Sequence, residues 1–126
     1  MNLSQLSTAI EAAVAVHLNE LGRAQGLLPL NWFVAPSVTS DEDMEAVLSV
    51  EGQAGSHLPQ HPGRVVDQWA GALGLRPVYP PSPGVHAVEG TLEPQPGEYR
   101  FEIRIWGVID PAALHAQRDW GRWQGQ

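Results

Sequence analysis

The sequence contains no cysteine and no lysine, and both absences limit what the chain can do. Without cysteine there is no disulfide framework, no thiolate nucleophile and no cysteine-based zinc site. The 7 basic residues are all arginines and stand against 14 acidic residues, which gives a formal net charge of −7. Because binding to a phosphate backbone needs clustered cations, we do not expect this chain to bind nucleic acid.

Long apolar runs and reaction motifs are missing as well. No apolar run approaches the roughly 18 residues of a membrane span, and no basic segment precedes an apolar run at the N-terminus. We therefore expect a soluble, cytoplasmic protein that has no signal peptide and no membrane partner. The chain has no nucleophile elbow, phosphate-binding loop or HExxH motif, so the sequence favours a non-enzymatic protein without a cofactor.

The clearest positive pattern lies at residues 97–111. Here apolar and charged side chains alternate, with Tyr99, Phe101, Ile103 and Ile105 on one face and Arg100, Glu102 and Arg104 on the other. A period of two predicts a strand that is buried on one side and exposed on the other. The regularity of this segment indicates a fold and carries no chemistry by itself.

The length of 126 residues fits one α+β domain. We predict the order α-β-β-α-β-β, in which two hairpins form a mainly antiparallel four-stranded sheet and the helices cover one face, a two-layer sandwich. The predicted units are an N-terminal helix at 1–22, a first hairpin at 30–51, a second helix at 62–74, a second hairpin at 85–109, and a short C-terminal helix with a tail at 110–126.

Several local features set the details of this prediction. Gly22 and Gly74 are expected to end the first and second helices, and Trp69 on the second helix is expected in the core. Pro36 cannot donate a hydrogen bond, which predicts that the first strand either lies at the edge of the sheet or contains a bulge. Residues 40–50 fit either the second strand or the start of a helix, and we prefer the strand because the apolar segment is short and ends in Glu51-Gly52.

Histidines are the only support for an enzyme or a small-molecule binder. His57 and His61 are four residues apart, as in a helical metal pair, but Pro59 between them makes a helix improbable. They are weak candidates for a metal site, and we expect no bound metal. Together with His86 beside another loop, they leave open an alternative function as a small-molecule-binding protein or a hydrolase-like enzyme.

Tryptophan and arginine, which protein interfaces favour, point to another protein as the partner. The C-terminal tail carries three of these candidates, Trp120, Arg122 and Trp123, and the charged strand face carries Arg100 and Arg104. The sequence leaves open whether the chain forms a homo-oligomer. A further alternative, an acidic mimic of nucleic acid, requires acidic side chains aligned along one surface.

Two motifs carry a resemblance to known proteins. Trp69 to Leu75 (WAGALGL) precedes a hairpin whose last strand, Phe101 to Gly107, reads FEIRIWG. This combination resembles small proteins of high-GC actinobacteria and their phages. The resemblance covers less than half of the chain and transfers no catalytic residue. It implies an accessory factor of a phage or mobile element.

Overall fold

The computed structural model describes residues 3–38, 46–92 and 100–116, and some side chains towards the ends of these ranges are left undescribed. The helices and strands are α1 (Leu3–Ala24), β1 (Asn31–Val38), β2 (Ala46–Ala54), α2 (Pro62–Leu73), β3 (Arg76–Pro77), β4 (Val85–Leu92) and β5 (Arg100–Val108). A helical segment, α3, follows at residues 111–116. Within these ranges, no helix is long and apolar enough to cross a membrane.

The strands form one five-stranded sheet in the order β1-β2-β5-β4-β3. The predicted mixture of helices and strands is confirmed. The strand assignment is confirmed for residues 46–50, because β2 pairs antiparallel with β1, whereas residues 40–45 lie outside the described residues. The prediction of four strands is wrong. The additional strand, β3, has only two residues, and a pattern of period two needs about four or more residues to be recognised.

The centre of the sheet also differs from the predicted four-stranded sandwich. β2 and β5 are the neighbours that join the two hairpins, and they run parallel. Parallel neighbours need a crossover connection, which here contains α2 and β4. The alternation of side chains within each strand does not specify which strands become neighbours or in which direction they run.

One face of the sheet is closed by α1 and α2 around a tryptophan pair. The rings of Trp32 on β1 and Trp69 on α2 meet edge to face, with centroids 5.5 Å apart. Trp69 is 3% exposed, which confirms its predicted place in the core. The other buried hydrophobic residues that cluster with this pair are Leu30, Val50, Ala54, Val65, Val66, Val88, Ile103 and Ile105.

Both indole N–H groups of this pair have acceptors. Trp32 Nε1 donates to Asn19 Oδ1 on α1 over 2.8 Å, and Trp69 Nε1 donates to the Leu28 carbonyl over 2.9 Å. Asn19 also accepts from the Leu30 N–H and donates to the Leu30 carbonyl. These bonds fix α1 against the start of β1, because the polar groups that the packing encloses there find partners within the fold.

Gly22 does not end α1, contrary to the prediction. The helix continues to Ala24, and Gly26 takes the left-handed conformation with φ of 77°. The Leu27 N–H donates to the Gly22 carbonyl and the Gly26 N–H to the Arg23 carbonyl, which is the Schellman pattern. Gly22 instead gives space to an indole ring, since a Cβ there would lie 2.5 Å from Cη2 of Trp69.

The predicted end of the second helix agrees with the structure, because Gly74, with φ of 70°, ends α2. At the start of α3, Asp110 Oδ1 accepts from the Ala113 N–H. Pro36 lies in β1, which occupies one end of the strand order, as an edge strand must.

Candidate binding surface

In the part of the chain that the structure describes, the second face of the sheet is uncovered and charged. The residues of β2, β5 and β4 that alternate with the core residues point to this face, and the exposed ones are Glu51, Glu102, Arg104, Glu89 and Thr91. We call the side of the sheet that carries these side chains the open face. Strand alternation explains it directly, because each strand places every second side chain on the side opposite α1 and α2.

Four charged side chains form a row across the open face. The strand register places Glu51 of β2 beside Arg104 of β5, Arg104 beside Glu89 of β4, and Glu89 beside Arg76 of β3. We call these four residues the charged row. Its signs alternate from one strand to the next, so each charge has an opposite neighbour.

The residues of the charged row are not all paired. Arg104 Nη2 donates to Glu89 Oε2 over 3.1 Å, and both side chains are about half exposed. In the described part of the chain, Glu51 and Arg76 have neither a hydrogen bond nor an ion pair. Among these residues, the row therefore ends in one free carboxylate and one free guanidinium.

Aromatic side chains stand at the two sides of the open face. Phe33 of β1, which is in register with Glu51, is 48% exposed, and Tyr79, just after β3, is 89% exposed. Both line a groove of about 790 Å³ that also contains the charged row. Large apolar rings with this exposure, on either side of charged groups, are typical of a surface that contacts another molecule.

A smaller cleft of about 220 Å³ adjoins this groove. Pro81, Ser82 and Trp106 line it, and the Tyr79-Pro80 peptide bond in the neighbouring segment is cis. The indole Nε1 of Trp106 is buried and has no hydrogen-bond partner within the described ranges. A buried donor without an acceptor is uncommon and costs roughly 1–3 kcal/mol.

The structure describes only some of the residues that the sequence predicted for interaction. Arg104 lies on the open face and pairs with Glu89, as the alternation in β5 predicted for its charged side. Arg100 is the first residue of β5 and is in register with Val47, but its side chain is not described. Trp120, Arg122 and Trp123 lie outside the described residues, so their role stays a prediction.

The three loop histidines have different surroundings in the structure. His61 Nδ1 accepts from the Gly63 N–H over 3.2 Å at the start of α2, which is a helix-capping contact that the sequence pattern did not predict. His57 lies in the turn after β2 and is exposed. Among the described residues there is no group of three or more potential metal ligands.

His86 has the most specific contact of the loop histidines. Its Nε2 lies 2.6 Å from Oδ1 of Asp67 on α2, and the side chains are 29% and 69% exposed. A carboxylate that orients an imidazole is one part of a catalytic triad. Within the described residues, His86 makes no second hydrogen bond that would place a nucleophile beside it. The contact joins α2 to β4.

Sequence reasoning missed Phe33, Arg76, Tyr79 and Trp106 as members of a common surface. The signal for Phe33 was present, because it alternates with Trp32 and Val34 and so must face the other side of β1. Arg76 and Tyr79 had no such signal, since they reach the surface through a two-residue strand and a proline-rich segment. Comparison of the chain with protein-family models, curated proteins and solved structures found no match.

Proposed function

We propose that this chain is a non-enzymatic protein–protein interaction module that binds its partner through the open face. The observation that carries the proposal is the groove in which a row of charges, with both ends free among the described residues, lies between two exposed aromatic rings. Arginine and large aromatic residues contribute most of the binding energy in protein interfaces. The open face combines both on one side of the sheet.

The shape and chemistry of the groove favour a protein over a small molecule. Small-molecule sites enclose most of the ligand and are lined mainly by apolar side chains with a few polar groups. This groove lies on an exposed sheet face and its floor carries Glu51, Arg104 and Glu89. A broad, mixed-charge floor with apolar rims resembles the surface of a protein interface.

The proposal keeps the setting that the sequence resemblance implies, an accessory factor of a phage or mobile element, together with the cytoplasmic location expected from the lack of a long apolar run and of a signal peptide. The tail residues Trp120, Arg122 and Trp123 would supply a second contact region. An acidic mimic of nucleic acid is less well supported, because the charged row alternates in sign, whereas mimicry of a phosphate backbone requires negative charges in sequence.

Site-specific photo-crosslinking tests the proposal. A photo-crosslinking amino acid replaces Glu102 on the open face in one variant and Glu20 on α1 in the matched control, since both glutamates are exposed. Each variant is irradiated in the cells that naturally contain the protein, and crosslinked species are sized and identified by mass spectrometry. We expect a discrete crosslinked protein from position 102 and none from position 20. Absence of a crosslink at 102, or equal crosslinking at both positions, contradicts the proposal.

The contact between His86 and Asp67 supports a second candidate, a hydrolase-like enzyme that uses His86 as a general base. This function needs a nucleophile or a water molecule within hydrogen-bond reach of the imidazole. A panel of chromogenic esters and amides tests it directly. Turnover by the native chain that His86→Ala abolishes would support the enzyme, and equal background rates for both proteins would remove the candidate.

A further inference from the structure

We infer that the partner of the open face is a second copy of the same chain, docked face to face about a two-fold axis. The axis runs parallel to β4 and β5. It lies in the plane between the two docked faces, above the gap between these two strands. This inference rests on the proposed function, since it names the occupant of the same surface. It follows from the order of charges in the row, from the two charges that lack partners among the described residues, and from the position of the aromatic rings.

The order of charges selects this axis. From β2 to β3 the charged row reads negative, positive, negative, positive, in Glu51, Arg104, Glu89 and Arg76. A two-fold axis between β5 and β4 reverses the row in the second copy, so that each carboxylate meets a guanidinium. A two-fold axis along the row itself would place every charge above the same charge, which like-charge repulsion opposes.

The same operation supplies partners to the free ends of the row. Glu51 of one copy comes opposite Arg76 of the other, and because the interface is isologous this pair forms twice. Neither residue has a partner in the described part of the chain. Arg104 and Glu89 keep their contact within each copy and gain a second opposite charge across the interface.

The aromatic rings stand where the rims of two such faces would meet. Phe33 lies on β1 at one side of the groove, and Tyr79 follows β3 at the other side. Reversal of the strand order brings the Phe33 side of one copy over the Tyr79 side of the other. The contacts at the rims would then be apolar, and the charged row would lie between them with room for bridging water.

The size of the face predicts a weak dimer. Five strands about 4.8 Å apart present a width of roughly 20 Å, so the contact belongs to the small class of specific interfaces. Each copy also has a net charge of −7, so two copies repel each other. At physiological ionic strength, salt screens this repulsion beyond about 8 Å. We therefore expect a dissociation constant in the micromolar range at physiological ionic strength.

Sedimentation equilibrium of the full chain and two charge-reversal variants tests the inference. The native chain should shift from 13.7 kDa towards twice that mass as its concentration rises to about 100 µM. Glu51→Arg places two arginines opposite each other, and Arg76→Glu places two glutamates opposite each other. Each variant alone should weaken dimerisation at least tenfold.

The decisive measurement is an equimolar mixture of the two variants. In the mixed pair, one copy carries arginine at both ends of its charged row and the other carries glutamate at both ends. Every contact between the row ends then joins opposite charges, so the dimer should return.

Two further variants serve as matched controls. Glu20→Arg on α1 and Arg64→Glu on α2 reverse the same charges at exposed positions on the helices, away from the open face. Neither control should change the mass. Thermal unfolding of each variant checks that the monomer is intact.

Three results would overturn the inference: a native chain that stays at 13.7 kDa throughout, single variants that dimerise as well as the native chain, or a mixture that remains monomeric. A monomeric native chain whose position 102 crosslinks to a different protein would remove the second copy and leave the proposed function standing. A native chain that is monomeric and gives no crosslink at position 102 would remove both.

Discussion

On the helix-covered face of the sheet, Trp32 and Trp69 both donate to acceptors that the fold positions for them. On the open face, the buried N–H of Trp106 has no acceptor among the described residues. The helix-covered side thus satisfies the indole groups that it encloses, whereas the described part of the open side keeps free charges and an unpaired donor. Polar and charged groups without hydrogen-bond or ion-pair partners are expected where a surface serves binding in preference to stability.

The largest expected effect comes from removal of one aromatic ring from each side of the sheet, which tests the difference between the helix-covered side and the open side. Trp69→Ala should lower the free energy of unfolding by about 3–5 kcal/mol, since it deletes a buried indole that packs on Trp32 and on Gly22. Tyr79→Ala should change it by less than about 0.5 kcal/mol, because the ring is 89% exposed. Chemical denaturation followed by circular dichroism measures both.

Equal losses for the two variants would show that the open side contributes to the fold as much as the helix-covered side does. A loss at Tyr79 that appears only at high protein concentration would instead report dimer formation, because a dimer adds stability that depends on concentration.

A second test uses glycine in the two helices. Replacement of glycine by alanine inside a helix normally stabilises by up to about 1 kcal/mol. Gly71→Ala on α2 should follow this rule, since among the described residues no atom outside its chain neighbours and its own helix backbone lies within 4 Å of its Cβ position. Gly22→Ala should reverse the sign and destabilise by about 1–3 kcal/mol, because its Cβ would overlap the Trp69 ring.

Thermal unfolding of both variants in parallel gives the comparison. Stabilisation by alanine at position 22 would mean that Trp69 can move aside without loss, and the packing between α1 and α2 would then be less specific than the contact distances indicate.

Gly22 also shows where the sequence was sufficient and where it was not. A glycine near the end of an apolar helical stripe predicts a helix terminus, but the same residue serves a close helix–indole contact that depends on Trp69, far away along the chain. Local patterns predicted the two hairpins, the edge strand containing Pro36 and the charged side of β5, because each depends on neighbours in sequence.

The charged row depends on strand order and register, which local sequence patterns do not specify. Alternation predicted Arg104 on an exposed face, but its neighbours Glu51, Glu89 and Arg76 come from three other strands. Strand order and register decide which of these charges meet, and both follow from packing of the whole sheet. Sequence reasoning therefore found one member of the candidate surface and could not assemble the rest.

A third test replaces the indole N–H group by sulfur at Trp69 and, separately, at Trp106. Benzothienylalanine has nearly the shape of tryptophan but carries sulfur in place of the indole N–H. At position 69 it should destabilise by about 1–2 kcal/mol, because the Leu28 carbonyl loses its donor. At position 106 it should cause no loss or a gain of up to about 1 kcal/mol, since it removes a donor that has no partner in the described part of the chain.

Site-specific incorporation at one position at a time, followed by denaturant titration, measures both values against the native chain. The packing volume is nearly constant, so the difference between the positions reports the hydrogen bond. A loss at position 106 as large as that at 69 would indicate that the Trp106 N–H has an acceptor in solution.

The smallest expected effect belongs to the ion pair between Arg104 and Glu89. A double-mutant cycle with Arg104→Ala, Glu89→Ala and the double variant should give a coupling energy of about 0.2–1 kcal/mol, because both side chains are about half exposed and solvent screens them. The cycle is measured at low protein concentration, where the monomer dominates. A coupling well above 1 kcal/mol would make the row a stabilising part of the fold. A small value means that the sheet does not require these charges, so their alternation across four strands can serve recognition of a partner that presents the reverse order.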